Sequence, residues 1–377
     1  MPTNRGLTVD ISIFIPVYKE SSQLASMLNK LNSQNVSKET FVTVDAPTKD
    51  FSEKIKNLEN GNVKFIINKE RTGKANALNN TVKLSSGKVL LFLDSDIEIN
   101  DDPDYLRKII MEMQQTDVLD IKKKVAKGKS FLSKMAYYEY FTFNISSWLA
   151  SKYMHRCPAV NGAAFAIKRQ TFEKIGGFHK VVPEDIDLAT RAFLEESSFA
   201  YTTEVEVKNV VHSEWRKWFK QRRRWAISQA LWLKDWYRDL AKRFIKKPQV
   251  FLPSLFFLYP SIAIFLLSAF VPNLWMYNSI LIFSLFLSIK FNILMPIFLV
   301  SLATANLIKI LTISLSSFGL TAAVFYGFSR KLGFKEIKLH ELFLYYFFYS
   351  NIWMAILIIG HIQVFALRKR AAPDWKT

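Results

Sequence analysis

A chain of 377 residues that is 50% hydrophobic, 15% aromatic and carries a formal charge of +19 is too apolar for a disordered segment, and too unevenly apolar for one ordinary soluble domain. One cysteine, Cys157, excludes an intrachain disulfide and any cysteine-based metal cluster. From Val250 to Phe328 the charged side chains are Lys290 and Lys309, whereas the first 248 residues mix both signs, so the charge pattern divides the chain between two solvents. Both parts are basic. Beside apolar runs of hydrocarbon length, that excess points to anionic lipid or a bound diphosphate, and away from nucleic acid.

Met1 to Asp10 lacks the apolar core of a signal peptide, so the front part is expected on the cytoplasmic side. It opens with "VDISIFIPVY", a β-branched apolar run, followed by a helical pattern from Ser21 to Leu31. "TFVTVDAP", "VKFIIN" and "KVLLFLDSD" repeat that theme with helical patterns between them. Such alternation predicts a mostly parallel central sheet covered by helices, an α/β fold whose ligands collect at the carboxyl ends of the strands. The residues standing there are Pro16, Tyr18 and Glu20, then Asp45, then Asn68, Arg71 and Lys74, then Asp94, Ser95 and Asp96. Gly73 permits close backbone approach, and Lys74 at a helix start offers a cation to phosphate or carboxylate. Asp94 and Asp96, two residues apart at a strand end, suit one hard divalent ion with room left for phosphate oxygens; a turn with solvated acids has the same spacing.

The aromatic segment Phe131 to Met154 has a helical pattern that suits either the membrane interface near an acceptor or a buried core helix. In "VNGAAFAIKR", Gly162, Ala163 and Ala164 are small enough for a sugar ring to approach the backbone, or for tight strand packing. "PEDIDLATR" predicts a helix opened by Pro183, with Ile186, Leu188, Ala189, Ala192 and Phe193 toward the core and Glu184 and Asp185 at its mouth. Those acids suit a general base, or a complement to the helix dipole. His212, before "SEWRKWFKQRRRW", is a candidate for the metal or diphosphate, or a structural histidine.

The tail from Gln249 reads as a transmembrane domain, because a hydrocarbon core of about 30 Å requires about 20 apolar residues in a helix. "VFLPSLFFLYPSIAIFLLSAFV", "LWMYNSILIFSLFLSI", a long run from Phe291 to Phe328, and "ELFLYYFFYSNIWMAILIIGHIQVFAL" suggest four spans, or five, with Lys290 and the C-terminus cytoplasmic. The expected division is 1–213 for the catalytic domain, 214–248 for interfacial helices, 249–367 for the membrane domain and 368–377 for a basic tail.

"FIPVYKE", "VDAPTKD", "RTGKANALN", "LDSD", "VNGAAFAIKR", "PEDIDLATR" and "QRRRW" occur in the order found in glycosyltransferase family 2, and the chain resembles that family over roughly residues 10 to 230. The last motif is similar to the Q-x-x-R-W of its membrane-embedded branch, which includes cellulose, chitin and hyaluronan synthases and ceramide glucosyltransferase. The resemblance implies an inverting GT-A nucleotide-sugar-binding domain followed by an all-α transmembrane domain. It implies that Asp45 takes the donor base and ribose, expected to be uridine, with Pro16, Tyr18, Glu20 and Lys74 in the same donor site. Ala46 and Pro47 stand where the family's D-D-G-S pattern has a second acid and a glycine, which leaves the base preference open.

By the same resemblance, Asp96 is the main ligand of a Mg²⁺ or Mn²⁺ ion, with Asp94 toward ribose or metal and His212 a further candidate ligand. Asp185, beside Glu184, is the expected catalytic base. Gln221, Arg224 and Trp225 occupy the Q-x-x-R-W positions: Arg224 is expected at the donor diphosphate, and Gln221 and Trp225, with Gly162, at the acceptor. Arg216, Lys217, Lys220, Arg222 and Arg223 are left for lipid headgroups.

The expected activity is metal-dependent transfer of a sugar from a nucleotide sugar to a lipid or lipid-linked acceptor by a multi-pass protein of the cell membrane. No nucleic-acid partner is expected. The alternative is a processive polysaccharide synthase extending a growing glycan. A membrane scaffold retaining the fold without chemistry is disfavoured, because Asp45, Asp94, Asp96 and Asp185 all persist.

Overall fold

The computed structural model describes residues 9–56, 58, 62–125, 128–246, 273–292 and 302–367. The chain forms two compact units, Met1–Phe251 with Ala355–Thr377, and Leu252–Met354.

In the first unit, β1 (Ile11–Tyr18), α1 (Leu24–Asn32), β2 (Lys38–Asp45), α2 (Lys49–Lys56), β3 (Val63–Asn68), α3 (Lys74–Val82) and β4 (Val89–Leu93) alternate as the apolar runs predict. There follow β5 (Ile97–Ile99), α4 (Tyr105–Met113), β6 (Val118–Val125), α5 (Phe131–Leu149), a π-helical turn (Ala150–Met154), β7 (Ala164–Lys168), α6 (Arg169–Lys174), α7 (Glu184–Leu194), β8 (Phe199–Asn209) and α8 (Trp215–Lys246). The strands form one eight-stranded sheet in the order β3-β2-β1-β4-β7-β6-β8-β5.

That sheet is parallel in most of its pairings, as expected, and mixed at β7 and β5. The pairs β1–β2, β1–β4, β2–β3 and β6–β8 are parallel, but β7 runs antiparallel between β4 and β6, and β5 antiparallel to β8. The physical reason lies in double-sided burial: "AFAIK" in β7 is as apolar as "VLLFL" in β4, and a strand covered on both faces has the same composition whichever way its neighbours run.

Register does the positioning. Phe41, Phe14, Phe92 and Phe165 lie side by side across four adjacent strands, with successive ring centroids 5.7, 5.1 and 5.1 Å apart. This ladder pins the strands against one another. The same register sets Tyr18, Asp45 and Asn68 abreast where β1, β2 and β3 end.

Helix α5 starts at Ser130, whose side chain accepts from the Ser133 N–H, and it is buried on most of its surface, including Met135, Tyr138, Phe141 and Ile145. Residues 131–149 thus form a core helix, while Lys152 and Tyr153 in the turn that follows are exposed. In α7 the buried residues include Asp187, Thr190 and Arg191 along with Leu188, Ala189 and Ala192, while Ile186 and Phe193 remain half-buried. The departure from simple apolar periodicity follows from α8. Its Trp232 donates to Thr190 at 2.8 Å and its Trp236 to Asp187 at 3.0 Å, so a polar face of α7 is covered by indole N–H groups.

Along α8, Trp218, Arg222, Ala226 and Ala230 recur every four residues and are buried. Gly360 lies against Ala226 so closely that a Cβ at position 360 would sit 2.7 Å from the alanine Cβ.

The second unit holds α9 (Asn273–Phe291), α10 (Leu302–Lys331), α11 (Leu339–Leu344), a π-helical turn (Tyr345–Tyr349) and the start of α12 (Ser350–Phe365). Among the described residues two helical stretches, Asn306–Lys331 and Leu339–Phe365, are long and apolar enough to cross a membrane by length and composition; Tyr277–Phe291 is shorter. The expected first span, 250–271, and residues 293–301 lie outside the described residues. Large apolar side chains such as Phe283, Phe286, Leu311 and Leu320 point outward from these helices, the arrangement that hydrocarbon favours.

Candidate active site

The site begins where β1 and β2 end. Each strand turns out of the sheet through a residue in the left-handed region, Lys19 (φ 65°) and Ala46 (φ 49°), a backbone conformation that concentrates at functional loops. Asp45 is almost wholly buried. Its carboxylate accepts from Asn68 Nδ2 at 2.8 Å and from Thr72 N, Thr72 Oγ1 and Gly73 N, each at 3.1 Å. Its oxygens are therefore engaged by the loop that precedes α3. Gly73 has φ +86° with nothing near a hypothetical Cβ, so glycine is required there by the backbone angle and not by crowding. The consequence is a fixed start for α3, with Lys74 as its first residue.

Tyr18 is 39% exposed beside this loop, and the Arg71 guanidinium lies 4.1 Å over its ring, with Lys19 at 5.3 Å. Pro16 lines the adjoining cleft; Glu20 is exposed and is not among its lining residues.

The cleft is lined by Pro16, Lys74, Asp94, Gly162, Glu184 and Asp185 over a floor that includes Phe92, Phe165 and Phe178. Lys74 Nζ lies 2.8 Å from Asp94 Oδ1 and 3.3 Å from Glu184 Oε1, so one cation joins the end of β4 to the start of α7. Burial pulls the Lys74 ammonium down, but Asp94, Glu184 and Asp185 more than offset this and hold it above the ordinary lysine value.

Asp185 accepts from Gly162 N at 2.7 Å and from Ile186 N at 2.8 Å. Burial, reinforced by the neighbouring Glu184 charge and opposed by Lys74, pushes its carboxyl up to about 6. Gly162 is explained by the same contact. A Cβ there would stand 2.3 Å from Asp185 Oδ2, so its space is occupied by the carboxylate, and neither a sugar nor strand packing is needed to account for the glycine.

Asp94 is tied to the sheet by its N–H, which donates to Ala163 O at 2.9 Å. The Asp94–Asp96 loop is also tied to the β1 turn, since Ser21 Oγ donates to Ser95 O at 2.5 Å. Asp96, two residues on, is not among the residues that line the cleft; its carboxyl is raised above the usual value by desolvation and by the Asp94 charge, while Lys74 and Arg224 pull it down. Asp94 and Asp96 offer the hard carboxylate oxygens that a divalent cation takes, with phosphate oxygens to complete the shell.

His212 does not join them. It is exposed, and its imidazole is lowered by desolvation and by Lys217, Arg222 and Arg224 around it, against Glu214. Among the described residues no group of three or more His, Cys, Asp or Glu converges to hold a metal, so the trio Asp94, Asp96 and His212 is not assembled.

On α8, Gln221 and Trp225 are half-buried and Arg224 is exposed, yet near enough to Asp96 for its charge to be felt there. Arg216, Lys217, Lys220 and Arg223 are exposed. Arg222 is not, which corrects its assignment to lipid headgroups: it is 2% exposed and pairs with Glu139 of α5, 3% exposed. Sequence reasoning also missed Lys123, buried against Asp120, which in turn accepts from Ser147 at 2.7 Å. Burial lowers this lysine, against the opposing charges of Asp120, Asp185 and Asp94. Nothing in the composition of the run "KKK" in β6 separates Lys123 from its neighbours.

The comparisons agree on the class of molecule. A profile described as "Glycosyltransferase like family 2" matches residues 9–228. The poly-β-1,6-N-acetyl-D-glucosamine synthase of Staphylococcus epidermidis is 24% identical over 237 residues, 60% of this chain and 58% of that protein, so the chain spans less than two thirds of the relative's length. Over a shorter stretch, glycosyltransferase AglE of Haloferax volcanii is 32% identical across 91 residues, 23% of this chain and 30% of that protein. A solved structure, the mannosyltransferase PcManGT of Pyrobaculum calidifontis in complex with GDP-Man and Mn²⁺, superposes with a TM-score of 0.56 at 16% identity, covering 95% of this chain and 88% of that one, a likeness of fold. With the mixed sheet, the acids at its strand ends and a profile that spans most of the first unit, the chain belongs to glycosyltransferase family 2 and has its GT-A fold.

Proposed function

We propose that this protein transfers a sugar, with inversion, from a nucleotide-sugar donor to an acceptor hydroxyl held at the membrane surface. The observation that carries the reading is the cleft itself: Asp185, with a carboxyl raised to about 6, shares it with a lysine bridged to Asp94 and Glu184. A base with that proton affinity is ionised near neutral pH and still basic enough to take a proton as the bond forms.

The chemistry follows from the residues. The acceptor oxygen attacks the anomeric carbon, its proton passes to an Asp185 oxygen, and the bond from that carbon to the diphosphate breaks on the opposite face. Gly162 N–H and Ile186 N–H orient the carboxylate. Lys74 keeps Asp94 and Glu184 from repelling an incoming phosphate. Arg224 presents a planar fork to phosphate oxygens that gain charge as the bond breaks. A Mg²⁺ or Mn²⁺ ion, held by Asp96 and Asp94, would supply charge neutralisation for the leaving diphosphate. Asp45 organises the loop beside which the base and ribose are received, with Tyr18 and Pro16 adjoining. Uridine remains the proposed base, and Trp225 and Gln221 the acceptor side.

For the acceptor we favour a lipid or lipid-linked sugar. The second reading, a processive synthase extending a glycan, is favoured by the likeness to the poly-β-1,6-N-acetyl-D-glucosamine synthase of Staphylococcus epidermidis. We propose a multi-pass membrane setting with a cytoplasmic catalytic unit for both, supported by the two long apolar helices. The test uses native membranes containing the full chain and a panel of labelled nucleotide sugars. Diphosphate release that requires Asp96 and a divalent ion is expected, with single-sugar glycolipid products; long polymers would select the second reading, and absence of release with every donor would refute both.

A further inference from the structure

Three arginines stand in a row at 222–224, and the structure separates the first from the third. Successive helical residues are about 100° apart around the axis, so positions 222 and 224 point to nearly opposite sides of α8. Arg222 is buried against Glu139, whereas Arg224 is exposed. Arg222 is also held by rings: its guanidinium carbon lies 4.2 Å from the centroid of Trp225 and 5.6 Å from that of Trp218. One buried charge therefore meets α5 on one side and, along its own helix, the indole assigned to the acceptor. Taking two charges out of water is costly, and an apolar pair of similar volume would pack the same interface as firmly. What the ion pair adds is direction, because a planar guanidinium accepts a carboxylate and two stacked rings in few orientations.

Tyr140, adjacent to Glu139 on α5, is buried with it, so the pair sits in a closed part of the α5 surface.

We propose that the Glu139–Arg222 ion pair is a positioning device, which locks the rotation of α8 and the plane of Trp225 so that Arg224, on the opposite face, is presented to the donor diphosphate. Arg222 and Glu139 touch no reacting atom. This inference rests on the roles given above to Arg224 and Trp225.

Glu139→Gln keeps the shape and a hydrogen bond but removes the charge, and Arg222→Lys keeps the charge but removes the planar fork. The full chain in detergent is assayed for transfer, for binding of UDP by calorimetry, and for hydrogen exchange. Either variant is expected to lower kcat about 10- to 100-fold, as sub-ångström misplacement does, with donor KM and UDP affinity within about threefold of wild type. The double variant should be little worse than either single one, because both remove the same clamp. Exchange should rise in peptides covering 215–230 and remain unchanged in β1–β4. Unchanged kcat and unchanged exchange would overturn the proposal, as would exchange that rises throughout the first unit together with lost UDP binding, which marks a merely structural pair. If the wild-type chain transfers no sugar at all, the functional reading falls, and the localised exchange response alone supports or refutes the clamp.

Discussion

Replacing Asp185 by Asn tests the base assignment and the physical cause of its raised carboxyl together. In the folded chain the group stands at about 6, against an ordinary value of 3.8. Each tenfold difference in proton affinity is worth about 1.4 kcal/mol, so keeping Asp185 ionised above pH 7 costs the fold about 3 kcal/mol. Because the folded value lies above the unfolded one, the stabilisation from this group is complete below about pH 4 and is lost as pH rises through about 6.

Asn has no such dependence. It replaces one of the two accepting oxygens by an NH₂ that faces either the Gly162 or the Ile186 N–H, at a cost of about 1–3 kcal/mol for a buried donor left unsatisfied. Near pH 7 the two terms largely cancel, so the variant should match the wild type within about 2 kcal/mol. Between pH 4.5 and 8, thermal melting of the two proteins should show their difference moving toward the variant by most of about 3 kcal/mol. Over the same range wild-type kcat should fall as pH drops through about 6, while the Asn variant loses about 10²- to 10⁴-fold in kcat and has no such limb, with UDP binding retained. Turnover within an order of magnitude of wild type, or the same acid limb in both proteins, would refute the reasoning.

Lys74→Met removes the cation that opposes the rise at Asp185, so the acid limb of the pH–rate profile should move above its wild-type position, and the diphosphate should bind more weakly. A profile that stays in place would show that Lys74 does not act on the base. Gly162→Ala places a Cβ 2.3 Å from Asp185 Oδ2, which forces the carboxylate to move. Activity is expected to drop by about 10²-fold with little change in melting temperature. Gly360→Leu should wedge the end of α12 away from Ala226, where even a Cβ is 2.7 Å from its neighbour. It should raise exchange along α8 and cost about 1–3 kcal/mol by overpacking, read from chemical unfolding in detergent.

Much of this molecule is legible in its sequence, because the relevant signals are local. The strands of the front half are short apolar runs, and each ends at a polar residue whose position in the loop follows from where the run stops; Asp45, Lys74 and Asp94 could be picked out on that ground. Glu184 and Asp185 were legible as acids opening a helix. The membrane helices were legible in kind, because apolar run length marks hydrocarbon: the described residues contain two stretches long enough to span, and the expected first span lies outside those residues.

What the sequence by itself determined is the inventory and its order: a family, a set of acids at strand ends and a boundary between water and hydrocarbon. Tertiary structure decided what each group does with its neighbours. Asp45 is taken up by Thr72 and Gly73, twenty-seven and twenty-eight positions away, and Arg222 is buried against a glutamate eighty-three positions away. His212 is left in solvent by the folding of the same chain. The reason is electrostatic and steric: identical side chains two residues apart on a helix face opposite surroundings, and burial, partner and charge state are properties of those surroundings and not of the residue type.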